Sequence, residues 1–156
     1  MKKYSSWLGF FARIVLGGVL IIAGWLKAFN VSDAENAVRA YKVLPLKLAD
    51  LVGITLPWVE IGLGLLLILG VATRISAVLA GAIMILFIIA ISQAALRGLS
   101  IDCGCFGGGG QVAPGKTKYL QEIGRDTIFT LLAIYIYRYP YSKFSLTKNL
   151  KEQTNG

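Results

Sequence analysis

The chain has 156 residues, a formal net charge of +8 and no histidine, and 56% of it is hydrophobic against 15% charged. Soluble domains carry about 25% charged residues, so this balance, with a mean hydropathy of +0.67, excludes an ordinary soluble core. The missing histidine removes the usual haem ligand, the commonest general base and the commonest zinc ligand together. The basic residues flank apolar runs and form no stripe with interleaved aromatics, which excludes a nucleic-acid surface.

In chain order, the first apolar run is Trp7–Leu26, preceded by Lys2 and Lys3. No small-x-small cleavage site ends it, so it reads as a retained span and not as a signal peptide. Further spans are expected over Leu51–Leu69, Ile75–Leu96 and Ile123–Tyr139. Each is about 17–22 residues, enough to cross a hydrocarbon core of about 30 Å. Backbone groups inside lipid must pair within the segment, so the spans are helices. The expected fold class is therefore all-α, an integral membrane four-helix bundle. It forms one transmembrane domain over residues 7–139, followed by a polar, partly disordered tail at 140–156.

The connections differ in kind. Gly70–Arg74 makes a tight hairpin between the second and third spans. The segment SDAENAVRAYKVLP lies between the first and second. Ser32 with Glu35 three residues on is a capping-box signal, and Ala34, Ala37, Val38 and Tyr41 fall at helical spacing. A short amphipathic helix on the membrane surface is expected, ended before Pro45.

Four spans put both termini on one side with the Gly70–Arg74 hairpin. Lys2, Lys3, Arg74, Arg138, Lys143, Lys148 and Lys151 lie there, against Lys27, Arg39, Lys42, Lys47, Arg97, Lys116 and Lys118 on the other side. Seven against seven is a tie for the positive-inside rule. Lys2 and Lys3 precede the dominant first span, and Asp33, Glu35, Asp50, Asp102 and Glu122 lower the net charge of the far side. The expected placement is a multi-pass protein of the bacterial plasma membrane, termini cytoplasmic and the third connection outside.

That connection holds IDCGCFGGGG, with the only two cysteines of the chain, Cys103 and Cys105. A disulfide needs Cα atoms about 4.4–6.8 Å apart, which residues two apart just reach, with Gly104 relaxing the backbone between them. So small a loop stabilises a fold little, and a strained, exposed bridge is the labile kind. Two cysteines without histidine complete no structural zinc or iron–sulfur site, so no metal is assigned. Copper(I) binding by Cys-x-Cys is the weaker alternative. The glycines at 107–110 read as a hinge or a close-approach surface, since no Lys-Ser/Thr follows for a phosphate loop. A dithiol presented outward for electron exchange is the expectation, with Cys103 and Cys105 as the reacting residues. Cys105 is the favoured sulfur for attack, being farther from the charge of Asp102.

Charged residues inside spans default to functional hypotheses. By residue count Arg13 and Glu60 lie about 5 Å apart along the membrane normal, which predicts an Arg13–Glu60 pair. It either locks two helices or lines a pocket for a polar headgroup such as a quinone. Arg97, Arg125 and Asp126 lie on the cysteine side, where a cation beside a thiol raises its thiolate fraction; interfacial snorkelling is the competing role of the arginines. Gly17, Gly18, Gly62, Gly64, Ala77 and Gly81 suggest close helix packing, which serves self-association or internal packing equally, so a homo-oligomer stays open.

Over residues 7–139 these features resemble the methylamine utilisation protein MauE family, within the wider DoxX-like membrane proteins. The features are Arg13, GWLKAF at Gly24–Phe29, Tyr41 ahead of Leu44-Pro45, Glu60 with Gly62 and Gly64, CGCFG at Cys103–Gly107, and Arg125-Asp126. The resemblance implies a membrane thiol–disulfide redox component that works with an extracytoplasmic thioredoxin-like partner. In methylamine-using bacteria it implies support of disulfide formation in methylamine dehydrogenase. A quinone acceptor is implied by analogy with other four-helix thiol oxidases. With no second cysteine pair, electrons would pass directly between Cys103/Cys105 and the acceptor. The competing classes are a non-enzymatic assembly or scaffold subunit, and a small-solute or metal transporter.

Overall fold

A computed structural model describes residues 2–106 and 108–140. The expected polar tail, with Lys143, Lys148 and Lys151, and Gly107 of the CGCFG run lie outside the described residues. The described residues form five helices: α1 (Lys2–Ala28), α2 (Val31–Ala40), α3 (Leu46–Leu69), α4 (Thr73–Leu96) and α5 (Tyr119–Arg138). Among the described residues the fold is all-α apart from a two-residue ladder. Among the described residues three helices are long and apolar enough to cross a membrane: α1 over Trp7–Ala28, α3 and α4. They expose large apolar side chains such as Phe11, Ile22, Leu65, Leu86 and Ile89, which suits lipid and not water. The longest apolar stretches thus give three spans where four were expected. The remaining long helix, α5, carries Glu122, Arg125 and Asp126 in its first turns.

α1 and α3 run antiparallel with touching backbones. A Cβ on Gly17 would sit 2.8 Å from the Gly64 carbonyl oxygen, and one on Gly64 would sit 2.6 Å from that of Gly17. About two turns further along, a Cβ on Gly24 would meet the carbonyl of Pro57. Gly18 and Gly62, placed in the same expectation, face open space. α5 returns along α4, with Ala133 beside Gly81 and Ile123 beside Ile91. Leu16, Leu20, Leu63, Leu67, Ala80, Met84, Ala133 and Ile136 fill the space between the two helix pairs. The hairpin between α3 and α4 is as tight as expected, with Gly70 (φ +70°) and Ala72 (φ +45°) both left-handed.

α2 forms where a short helix was expected, but its cap differs. Asn30 takes the N-cap position without a side-chain cap, and Ser32 lies inside the helix, so no capping box forms. Its side chain turns back instead, Nδ2 donating to the Leu26 carbonyl at 3.2 Å. The alanine face of α2, Ala34, Ala37 and Ala40, is buried. A Cβ on Gly53 of α3 would sit 2.8 Å from the Cα of Glu35, so α2 packs directly on protein. The third connection is not a free loop either. Ile101–Asp102 (β1) and Gly110–Gln111 (β2) pair antiparallel, Ile101 opposite Gln111 and Asp102 opposite Gly110. This ladder folds the cysteine segment back beneath α2.

Candidate functional site: a buried thiol pair beside buried charges

The glycines around the cysteines let the loop reach α2. Gly104 (φ +66°) and Gly109 (φ +129°) both occupy backbone regions closed to most side chains, and both lie against Ala37. Of the two expected roles for this run, close approach is the one these residues take. The two thiols do not lie open at the protein's surface, where a dithiol presented outward was expected. Cys103 is 8% exposed and Cys105 5% exposed, both as free thiols. Ile91, Phe87, Tyr119 and Ile123 pack around them. Tyr119 Oη donates to the Leu99 carbonyl, and Tyr41 Oη donates to the Cys103 carbonyl at 3.3 Å. Burial, and then the nearby thiols, push the Tyr41 hydroxyl far up, so it stays a donor.

The two sulfurs are unequal. The Cys105 N–H donates to Cys103 Sγ at 3.1 Å, and Arg125 Nη2 lies 3.7 Å from the same atom. Hydrogen bonding from Cys105 and the Arg125 guanidinium outweigh burial, and hold the Cys103 thiol below its usual value. The hydrogen bond to Cys103, burial and the negative neighbours push the Cys105 thiol well up. The arrangement favours a Cys103 thiolate beside a Cys105 thiol.

Arg125 is thus brought to the thiols as expected. It also donates to Asp126 at 2.9 Å and stacks over Phe106, 4.7 Å from the ring centroid. Arg97 is not brought to the thiols. Its guanidinium donates to the Tyr41 carbonyl at 3.1 Å and to Gln93 Oε1 at 3.0 Å, tying the end of α2 to α4. Asp126 is 1% exposed, and its Oδ2 has no hydrogen-bond partner among the described residues.

The expected Arg13–Glu60 pair is absent. Arg13 donates to the carbonyls of Leu67 and Ile68 at 2.8 and 3.0 Å. Glu60 pairs with Lys27, whose Nζ lies 2.7 Å from both carboxylate oxygens, donating to Oε1 and contacting Oε2 through charge alone. The register explains the exchange. Gly17 opposite Gly64 places Glu60 level with Ile21, about 12 Å from Arg13 along the axis. Helical side chains lean toward the N-terminus, so Lys27 reaches inward to Glu60 from the end of α1. Lys27 Nζ also lies 5.3 Å from the Phe87 ring centroid. Sequence reasoning treated Lys27 as an interfacial cation; the signal available was a carboxylate buried near the middle of a span, which demands a cation.

Two clefts flank the thiols. One joins Cys105 to Glu60, Arg125 and Asp126 between walls that include Met84 and Phe129. The other joins Cys103 to Lys27 and Tyr41 beneath α2. Phe87 lines both. Ligand atoms of Asp102, Cys103 and Glu122 lie within 4.8 Å of one another. The guanidinium beside Cys103 already supplies a cation there, so this set fits a metal ion poorly.

An all-α membrane protein with a polarised, buried dithiol next to buried charges is the class that this fold and site define. The chain belongs to the family described as methylamine utilisation protein MauE, whose family model matches residues 5–138. Methylamine utilization protein MauE of Paracoccus denitrificans is 34% identical over 98 residues, covering 62% of this chain and 53% of the relative. That of Methylorubrum extorquens is 38% identical over 100 residues, covering 64% and 54%. The chain spans about half the length of these curated relatives. No solved structure matches.

Proposed function

We propose that the protein exchanges electrons through Cys103 and Cys105 with a thioredoxin-like partner outside the cytoplasm. The observation that carries this reading is the asymmetry of the pair, with two donors on Cys103 Sγ and none of that kind on Cys105. A partner thiolate attacks Cys105 of the oxidised pair. Cys103 leaves as the stabilised thiolate, since a lower-pKa sulfur is the better leaving group. The second partner thiol then displaces Cys105, which takes up a proton. The partner gains a disulfide, and this chain gains the two electrons.

Reoxidation needs a two-electron acceptor, and a membrane quinone is the class we assign. The cleft at Cys105 has apolar walls and a few polar groups, the kind of lining a quinone headgroup uses; its walls would have to part to admit one, since the space there is about that of a single water. Arg13, clamped on the carbonyls of α3, leaves that assignment, and Glu60 stays in it. α5 serves as the fourth span, its charged first turns covered by the cysteine loop. The domain then runs over residues 7–139, in a bacterial plasma membrane. Lys27, ion-paired inside the bundle, drops out of the far-side charge count. Seven cations then face six, which supports cytoplasmic termini and an outward loop. The name of the relatives points to methylamine utilisation as the process served.

The test is the redox state of the pair in living cells, trapped by acid quench and maleimide alkylation. A mostly oxidised pair that becomes reduced on overproduction of a thioredoxin-like protein from the same cells is expected. A pair that stays reduced under every condition overturns the reading.

A further inference from the structure

We infer that Asp126 is the group that gives and takes the proton of Cys105 during exchange, an inference that rests on the thiol-exchange reading above. Whichever sulfur carries the mixed disulfide, Cys105 passes between thiol and thiolate. At 5% exposure it has little direct access to bulk water for that proton. The groups around it sort themselves by what they already hold. Glu60 on α3 has Lys27 of α1 at 2.7 Å from both oxygens. Tyr41 spends its hydroxyl proton on the Cys103 carbonyl. Arg125 is a fixed cation shared between Cys103 and Asp126 Oδ1. Glu122 also has an oxygen without a hydrogen-bond partner, Oε2, but it gathers with Cys103 and Asp102 and does not line the Cys105 cleft. α4 contributes only Met84 and Phe87 to that cleft.

This leaves Asp126 Oδ2. It is a carboxylate oxygen on a residue 1% exposed, without a hydrogen-bond partner among the described residues, and its side chain lines the same cleft as Cys105. A buried polar atom left unpartnered costs stability, which a water or a transferred proton in the cleft would offset. When partner thiolate displaces Cys105, the proton moves from Asp126 to the departing sulfur and Asp126 is left ionised against Arg125. In the reverse direction, Asp126 accepts the Cys105 proton as Cys105 attacks. No electrons pass through Asp126, and its proton returns to or comes from water. The raised Cys105 thiol is the form such a relay serves.

The test uses the full chain in lipid nanodiscs, reduced, then mixed with one equivalent of 2,2′-dithiodipyridine in a stopped-flow cell. The first thiopyridone released reports attack by Cys103, and the second reports ring closure by Cys105. For the unaltered protein, ring closure is expected to be flat with pH around neutrality and to fall only as a carboxylate protonates. Asp126→Asn is expected to slow ring closure about tenfold or more at neutral pH and to make it rise about tenfold per pH unit, as reaction with hydroxide requires. The first release reports separately any change passed to Cys103 through Arg125, and Asp126→Glu restores the flat profile of ring closure. Ring closure at an unchanged rate in Asp126→Asn overturns the inference. If that variant does not fold, the unaltered protein decides: ring closure climbing about tenfold per pH unit through the thiol range overturns it as well. Failure of the unaltered pair to close a ring at all would instead overturn the exchange reading, and this inference with it.

Discussion

Lys27 and Glu60 form an ion pair inside the bundle, Nζ 2.7 Å from both carboxylate oxygens, with side chains 6% and 1% exposed. The lysine comes from the last turn of α1 and the carboxylate from the middle of α3. Neither charge has water to fall back on. Each is tolerable only because the other is there.

Removing one partner should therefore cost far more than removing both. Lys27→Met leaves an unpaired buried carboxylate and is expected to destabilise by about 3–5 kcal/mol. Glu60→Leu alone should do similar damage. The double variant Lys27→Met, Glu60→Leu should recover most of the loss. Thermal unfolding in detergent of all four proteins checks this, and additive losses would show that the pair is not what holds the two sites together.

This pair also shows where the sequence could be read and where it could not. Apolar length and the hairpin chemistry of Gly70 locate α1, α3 and α4, because each signal is local. CGCFG locates the thiols for the same reason. Which cation meets Glu60 depends on the register between α1 and α3, set by Gly17 against Gly64 and by Gly24 against Pro57. Residue counting from span ends does not contain that register. Thiol burial likewise depends on Ala37 of α2 lying across Gly104 and Gly109, a contact between segments more than sixty residues apart. Arg125 could be assigned to the thiols but Arg97 could not be separated from it, since both lie at helix ends on the same side.

Arg125→Gln should raise the Cys103 thiol. With a Cys105→Ser background to isolate one sulfur, reaction with iodoacetamide at neutral pH is expected to slow several-fold. The rate plateau should move to higher pH. The stability sign follows from the lowered Cys103 value. A thiol depressed by folding contributes stability that is present above the unfolded value, about 8.5, and is lost as pH falls through the folded value. Arg125→Gln should shrink that contribution. An unchanged alkylation profile would remove Arg125 from the tuning of Cys103.

Glycine substitutions should separate contact from composition along α1 and α3. Gly17→Ala drives a methyl against the Gly64 carbonyl and is expected to cost about 1–3 kcal/mol. Gly18→Ala and Gly62→Ala face open space and should be neutral or stabilising by about 0.5–1 kcal/mol through helix propensity. Melting temperatures of the three variants give the comparison. Equal effects at Gly17 and Gly18 would contradict the register.

The cysteine loop offers a matched test of what keeps the thiols covered. Gly104→Ala places a side chain at φ +66° and pushes on Ala37, whereas Gly115→Ala meets only the backbone strain of φ +82°, with open space around it. Strain alone costs about 1–2 kcal/mol at either position. Only Gly104→Ala also lifts the loop from α2, so only it should speed alkylation of Cys105. Ala37→Leu attacks the same contact from the α2 side and should reproduce the effect without touching the loop backbone. The readout is the alkylation rate of Cys105 in a Cys103→Ser background, compared at equal folded fraction. If Gly104→Ala and Ala37→Leu leave that rate where Gly115→Ala leaves it, the cover over Cys105 comes from somewhere other than α2. If both raise it, the contact between α2 and the loop is what shields the sulfur, and a partner must displace α2 or approach past it to reach the pair.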